Sequence, residues 1–221
     1  MQLAVYIGVI VAAYFLGSIP TGYLTGRARG VDIRTAGSGN IGATNTLRVL
    51  GRKAGAFVLL GDAVKGFVAA RYLGVLALAL VPQAQGKVSL PYLGLAAAAA
   101  SVLGHNYTCW LRFKGGKGIS TSCGAILAVV PLAGVIILAT WILVFAATRY
   151  VSAASVAAAA ILPFAAWYSQ DNHLITAVMA GLGLLAILKH RANIGRLLAG
   201  TEPRFGRPKK LPEAAAAGGA K

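Results

Sequence analysis

Six apolar runs cover about residues 3–24, 54–81, 89–111, 118–149, 152–168 and 173–188, separated by short stretches rich in glycine, proline or charge. A helix of about 20 apolar residues spans a bilayer, so the pattern predicts an all-α, polytopic membrane helical bundle. The first run has no basic residue ahead of it and continues through Pro20 into a polar loop. A cleaved signal needs a basic leader and a small-residue cleavage site, so this run reads as a span. The fourth run, taken as one helix, would be about 48 Å long against a hydrocarbon core of about 30 Å. Pro131 lies near its middle and removes a backbone donor, so one kinked helix and two short ones both satisfy the apolarity.

Charge separates the two. Basic residues cluster from Arg27 to Lys53, from Arg112 to Lys117, at Arg149, and from Lys189 to the C-terminus. Two spans within 118–149 place all four clusters on one side of the membrane, as the positive-inside bias requires. A single span puts Arg149 and the tail on the other side. The expectation is seven transmembrane helices with the N-terminus outside and the C-terminus cytoplasmic, tilted or locally thinning the bilayer beside Pro131. Residues 1–200 form the membrane domain in this reading. Residues 201–221, with Pro203, Pro208, Pro212 and an Ala/Gly end, form a basic disordered tail without chemistry.

Composition narrows the class. With 57% hydrophobic and 12% charged residues, where soluble domains carry about a quarter charged, the chain is not an ordinary soluble enzyme, a disordered protein or a secreted disulfide scaffold. Lys plus Arg number 21 against 5 for Asp plus Glu, a net charge of +16. In a soluble protein that excess points to nucleic acid. No aromatic-basic module accompanies it here, so the charge is assigned to interfacial loops and anionic lipid, with no nucleic-acid partner. Cys109 and Cys123 have no metal, redox or disulfide spacing.

The scarce polar residues form local clusters. The run G-S-G-N-I-G-A-T-N-T-L-R, Gly37 to Arg48, contains Ser38, Gly39, Asn40, Thr44 and Asn45. Glycines let a backbone approach a ligand and turn N–H groups toward an anion, while hydroxyls, amides and Arg48 add donors. That is a phosphate cradle without a metal, although loops between spans are rich in such residues anyway. The run F-K-G-G-K-G-I-S-T-S, Phe113 to Ser122, fails the Walker pattern because Gly118 follows Lys117 where Ser or Thr is required. It leaves Lys114 and Lys117 around Gly115 and Gly116 at a helix start, where the dipole favours anions; a topogenic basic turn would look the same. Lys189, His190, Arg191, Asn193 and Arg196 follow the last span, as a site or as a snorkelling basic collar. Ser152 and Ser155 open the sixth span, as site or packing residues. Asp62 and Lys65, three apart within the second span, can pair and read as structural.

The expected topology brings these polar clusters to one face, with no polar set on the outer face. This suggests a cytoplasmic-interface site for an anionic small molecule beside a lipid. A transporter of an anionic solute would need polar residues through the outer half as well. No H-E-x-x-H occurs, no Asp/Glu pair lies near the site, and no Cys–His constellation or His followed four residues on by an acid is present. No metal or cofactor is expected, and a reaction of an already activated donor, needing little base, fits best.

G-S-G-N-I-G-A-T-N with Arg48, then F-K-G-G-K-G, then K-H-R-A-N-I-G-R-L-L resemble the three cytoplasmic motifs of the bacterial acyl-phosphate:glycerol-3-phosphate acyltransferases. The resemblance runs from about Tyr14 to Phe205. It implies a seven-span inner-membrane enzyme that makes lysophosphatidic acid from acyl phosphate rather than from acyl-CoA or acyl carrier protein. By similarity, Ser38, Arg48 and Lys117 match positions that hold phosphate groups. Ser155, His190 and Asn193 match positions around the glycerol phosphate and the reacting carbonyl. Those six are the candidate catalytic residues, with Gly37, Gly39, Asn40, Thr44, Gly115 and Gly116 as candidate substrate-binding residues. The implied partners are acyl phosphate, glycerol 3-phosphate and membrane lipid, with no obligate protein partner. With no carboxylate base in reach, the substrate's own phosphate or His190 would accept the hydroxyl proton.

Overall fold

The computed structural model describes residues 1–206; the remainder of the expected tail lies outside them. All regular structure among the described residues is helical: α1 Gln2–Ser18, α2 Thr21–Arg27, α3 Ala43–Leu50, α4 Arg52–Leu80, α5 Leu90–Asn106, α6 Ile119–Val129, α7 Pro131–Thr148, α8 Val151–Gln170, α9 His173–Lys189 and α10 Arg191–Leu198, with two short 3-10 turns. By length and composition, α1 with α2, α4, α7 and α8 can each cross a membrane. The pair α9 and α10, bent by 58°, is a fifth candidate. At 11 residues, α6 is only about 16 Å long.

The fourth apolar run divides at Val130–Pro131, where Pro131 opens α7 at a position that needs no donor. A Cβ on Gly134 would lie 2.6 Å from the Leu127 side chain. Residues seven apart in a straight helix are about 10 Å apart along its axis, so α7 folds back on α6. A second break, at Pro20, separates α1 from α2 and frees backbone carbonyls. Ser18 O accepts from Thr108 Oγ1 at 2.6 Å and Ile19 O from Lys65 Nζ at 2.7 Å. Lys65 also pairs with Asp62 at 2.9 Å, both side chains buried.

The helices pack with small residues inward and large ones outward. In α7, Ala133, Gly134 and Ile137 are buried while Val135, Ile142 and Leu143 are exposed. A helix apolar all round and exposed on one side suits lipid. Without a hydrophobic drive between helices in lipid, close backbone approach supplies the packing. Gly17 of α1 faces the Ser101 carbonyl of α5 while Gly104 of α5 faces the Tyr14 carbonyl of α1. Gly66 of α4 and Gly124 of α6 face the Thr121 and Ala63 carbonyls in the same reciprocal way. A Cβ at any of the four would overlap the opposing oxygen.

Gly66→Val is therefore expected to destabilise the bundle by roughly 1–3 kcal/mol, seen as a lower melting temperature in detergent. Gly181→Ala, in α9 with nothing within 4 Å of the new Cβ, should be neutral or gain up to about 1 kcal/mol from helix propensity.

Candidate functional site

Three polar segments converge on one cavity of about 410 Å³. The first is the loop before α3. Asn45, 2% exposed, pins it: Oδ1 accepts from the Ser38 N–H at 2.7 Å, and Nδ2 donates to the Ile33 and Ala36 carbonyls at 3.2 and 3.0 Å. Asn40 Oδ1 accepts from the Gly42 N–H at 2.8 Å and turns the chain into α3, which carries Thr44 and Arg48. The second segment is the glycine turn before α6. Gly115 N–H donates to the Asn106 carbonyl and Gly116 N–H to the His105 carbonyl, at 3.2 and 3.1 Å. Gly118 takes a left-handed conformation, φ 81°, and the helix starts at Ile119.

The third segment is the bend between α9 and α10. His190 sits at the bend with Nδ1 2.8 Å from the Ala186 carbonyl. That bond places the proton on Nδ1 and leaves the Nε2 lone pair unused by it. Burial, with the neighbouring Lys117 charge, pushes the His190 pKa down to about 4, so the imidazole is neutral at pH 7. Lys117 is half-buried and its Nζ donates to Asn193 Oδ1. Burial, opposed by Glu202 and reinforced by Arg196 and Arg48, lowers its pKa to about 8.

Glu202 completes this cluster. Asn193 Nδ2 donates to Glu202 Oε1 at 2.6 Å, and Arg196 Nε reaches Oε2 at 2.7 Å. Burial alone would raise the Glu202 pKa, but these hydrogen bonds hold it below the usual carboxylate value. Ser155 Oγ donates to the Val151 carbonyl at 2.8 Å and accepts from Trp141 Nε1 at 3.2 Å. From there the walls turn apolar, with Ile126, Ile137, Leu138, Ala158, Leu162 and Leu182.

All six candidate catalytic residues, Ser38, Arg48, Lys117, Ser155, His190 and Asn193, line this cavity, as do Asn40 and Thr44. The four glycines do not. Gly39 and Gly115 line a second, polar recess with Arg34 and Lys114, which shares Ser38 and Asn40 with the main cavity. Gly37, at φ 62°, and Gly116 lie behind the walls, where a Cβ would overlap Asn45 Oδ1 and the His105 ring respectively. Sequence reasoning missed Glu202 and expected no acid near the site. It also assigned residues from 201 onward to a tail without chemistry. Instead Glu202 is 8% exposed, and Phe205 N–H donates to the Arg149 carbonyl at 2.9 Å. The signal was present in Gly200. At φ 68° it ends α10 with Gly200 N–H bonded to Leu197 O and Thr201 N–H to Arg196 O, a Schellman turn that folds the next residue back. Asp62 and His105 also line the cavity, although their distance in sequence gave no hint of it.

A helical bundle with lipid-facing apolar helices, and a cavity that joins cationic donors to apolar walls, defines an integral membrane protein built to hold an anion with an apolar appendage. Among the described residues no three His, Cys, Asp or Glu side chains converge as a metal site. Residues 7–200 match the sequence profile of the family described as Glycerol-3-phosphate acyltransferase. The chain is 44% identical over 202 residues to a glycerol-3-phosphate acyltransferase of Geotalea daltonii, covering 90% of this chain and 96% of the relative. It is 46% identical over 196 residues to that of Geobacter sulfurreducens, covering 87% and 94%. The crystal structure of PlsY, an integral membrane glycerol 3-phosphate acyltransferase, in its glycerol 3-phosphate form aligns with a TM-score of 0.80 at 37% identity, over 91% of this chain and 96% of that one. Its lysophosphatidic acid form aligns with a TM-score of 0.78. The chain belongs to the glycerol-3-phosphate acyltransferase family.

The lowered Lys117 pKa has a measurable sign. Lys117 is half-protonated at about pH 8, so its charge is essentially complete well below that pH and is lost as pH rises through it. Binding of inorganic phosphate, measured by calorimetry, should therefore weaken as pH rises past about 8. Lys117→Arg, which stays charged, should carry the affinity to higher pH.

Proposed function

We propose that the protein transfers an acyl group from acyl phosphate to the sn-1 hydroxyl of glycerol 3-phosphate, forming lysophosphatidic acid and phosphate. The observation that carries this reading is the single cavity in which Arg48, Lys117 and Arg196 meet apolar walls from α6 to α9. A phosphate-bearing head and an acyl chain are the two chemistries it suits. Ser38, Arg48 and Lys117 hold the phosphates; Ser155, His190 and Asn193 surround the glycerol phosphate and the carbonyl. Acyl phosphate is a mixed anhydride whose leaving group is already a phosphate, so the hydroxyl attacks without a covalent enzyme intermediate. Positioning and electrostatic stabilisation supply the rate. A His190 pKa of about 4 makes it a weak base, and a phosphate monoester with a second pKa near about 6 is the stronger acceptor for the hydroxyl proton. The Nε2 lone pair of His190 is the weaker, alternative acceptor of that same proton.

The reading extends to topology. α1 with α2, α4, α5, α6, α7, α8 and α9 are seven passes, N-terminus outside, with the cavity at the cytoplasmic face of the bacterial inner membrane. The distribution of Lys and Arg supports this. In a background lacking Cys109 and Cys123, an impermeant thiol reagent on intact cells should label a cysteine at position 87 and leave one at 117 unlabelled. The reverse pattern overturns the orientation.

The function itself is tested with purified protein, glycerol 3-phosphate and either acyl phosphate or acyl-CoA, reading lysophosphatidic acid. Turnover is expected with acyl phosphate, and a comparable rate with acyl-CoA refutes the donor assignment. Lys114 and Lys117 flank the same glycine pair, but Lys114 is exposed and lines only the second recess. Losing one preorganised donor costs about 10²–10³ in turnover, so Lys117→Ala should lower kcat by at least roughly a hundredfold at unchanged membrane insertion. Lys114→Ala should cost far less, and equal losses would mark the turn as topogenic only.

A further inference from the structure

Asp62, Lys65 and His105 form a buried polar cluster that no step of the proposed reaction uses. Asp62 Oδ1 lies 2.9 Å from Lys65 Nζ and 3.5 Å from His105 Nδ1, and all three side chains are at most 6% exposed. Net stability is a weak reason to bury them. Withdrawing two charges from water costs several kcal/mol, and replacing a buried pair by apolar groups of similar volume is often neutral or stabilising. What the cluster touches does account for them.

At one end, Lys65 Nζ donates at 2.7 Å to the Ile19 carbonyl at the Pro20 break, which also accepts from the Thr21 N–H that opens α2. That break sets the direction of α2. In α2, Gly22 faces the Ile41 carbonyl so closely that a Cβ would overlap it, with Thr46 Oγ1 at 3.1 Å. Ile41 lies between Asn40 and the start of α3, so the direction of α2 fixes the loop that carries Ser38 and Arg48. At the other end, the His105 carbonyl accepts from Gly116 N–H at 3.1 Å, and the ring Nε2 abuts Gly116 where a Cβ would sit. The next residue is Lys117. The adjacent Asn106 carbonyl accepts from Gly115 N–H at 3.2 Å and from Lys189 Nζ at 3.0 Å, next to His190.

We propose that Asp62, Lys65 and His105 are positioning residues for acyl transfer: a buried strut that holds the Ser38–Arg48 loop and the Gly115–Lys117 turn in register across the cavity. The inference rests on the acyl-transfer reading above. It assigns the strut to the geometry of the reaction, not to the stability of the bundle. Displacing a reacting group by about 1 Å costs roughly a hundredfold, and both loops are tied to this one cluster.

The test is a paired comparison in detergent, reading melting temperature, kcat, and KM for glycerol 3-phosphate with acyl phosphate as donor. Asp62→Leu combined with Lys65→Met replaces the pair with apolar volume. The double variant should keep the parent's melting temperature within a few degrees while kcat falls by roughly a hundredfold and KM rises. A folded double variant with parental kcat overturns the proposal. If the double variant does not fold, His105 decides. His105→Asn keeps an N–H donor where Nδ1 faces Asp62, and His105→Leu does not. The Asn variant should stay close to the parent and the Leu variant lose roughly a hundredfold in kcat at matched melting temperature. Equal activity of the two overturns the strut. A parent protein that makes no lysophosphatidic acid from acyl phosphate refutes the acyl-transfer reading first, and the strut's role in catalysis with it.

Discussion

The hydrogen bond from Lys117 to Asn193 joins segments 76 residues apart, and the arrangement of the site depends on it. An ammonium drawn half out of water beside Arg48 and Arg196 is disfavoured by burial and by like charge. It stays in place because Asn193 presents its amide oxygen to Lys117 and its amide nitrogen to Glu202, so that the polarity of one side chain is read from both ends. Glu202 in turn accepts from Arg196. The chain Lys117–Asn193–Glu202–Arg196 alternates donor and acceptor throughout. Each charged member keeps a partner while facing the cavity.

This polar chain needs rigid mounts, and an apolar bundle in lipid supplies them through backbone proximity. Reciprocal glycine contacts lock α1 to α5 and α4 to α6, which fixes the C-terminal end of α5 and the start of α6. The glycine turn hangs between exactly those two ends, and its N–H groups are held by the carbonyls of His105 and Asn106. The short α6 belongs to the same logic. Because Pro131 turns the chain after 11 residues, α7 returns across the apolar side of the cavity and brings Trp141 to Ser155.

Much of this was legible in the sequence, for identifiable reasons. The length of the fourth apolar run and Pro131 offered the break into α6 and α7 as one of two alternatives, and the distribution of basic residues chose it. The three glycine- and cation-rich segments marked the cavity, because polar residues are rare enough in such a chain for each cluster to stand out. Glu202 was hidden by composition: a Pro- and Ala-rich basic segment reads as a tail, and only the left-handed Gly200 folds its first residues back. His105 and Asp62 were hidden by sequence distance. A search for a histidine followed four residues on by an acid finds pairs along one helix, whereas this pair forms between α4 and α5. The glycines were assigned too directly. Gly37 and Gly116 are small because Asn45 and His105 occupy the space behind them, and this kind of packing leaves no mark in a linear motif.

The electrostatics of the cavity also bear on which donor it suits. His190 is neutral and weakly basic, and both oxygens of Glu202 are already engaged, so with these two groups the protein offers little driving force for removing a proton from an alcohol. It offers cations instead: Arg48, Lys117 and Arg196 line the same cavity. The proposed donor, which would depart as phosphate, asks for charge stabilisation and alignment rather than a strong base. Arg48 and Arg196 repel the Lys117 ammonium across the cavity. Burial first, and that repulsion with it, lowers the Lys117 pKa to about 8, and an anion within a few ångströms raises it again. A bound anion therefore carries the Lys117 charge to higher pH than in the free protein, and it offsets the repulsion that Arg48 and Arg196 impose.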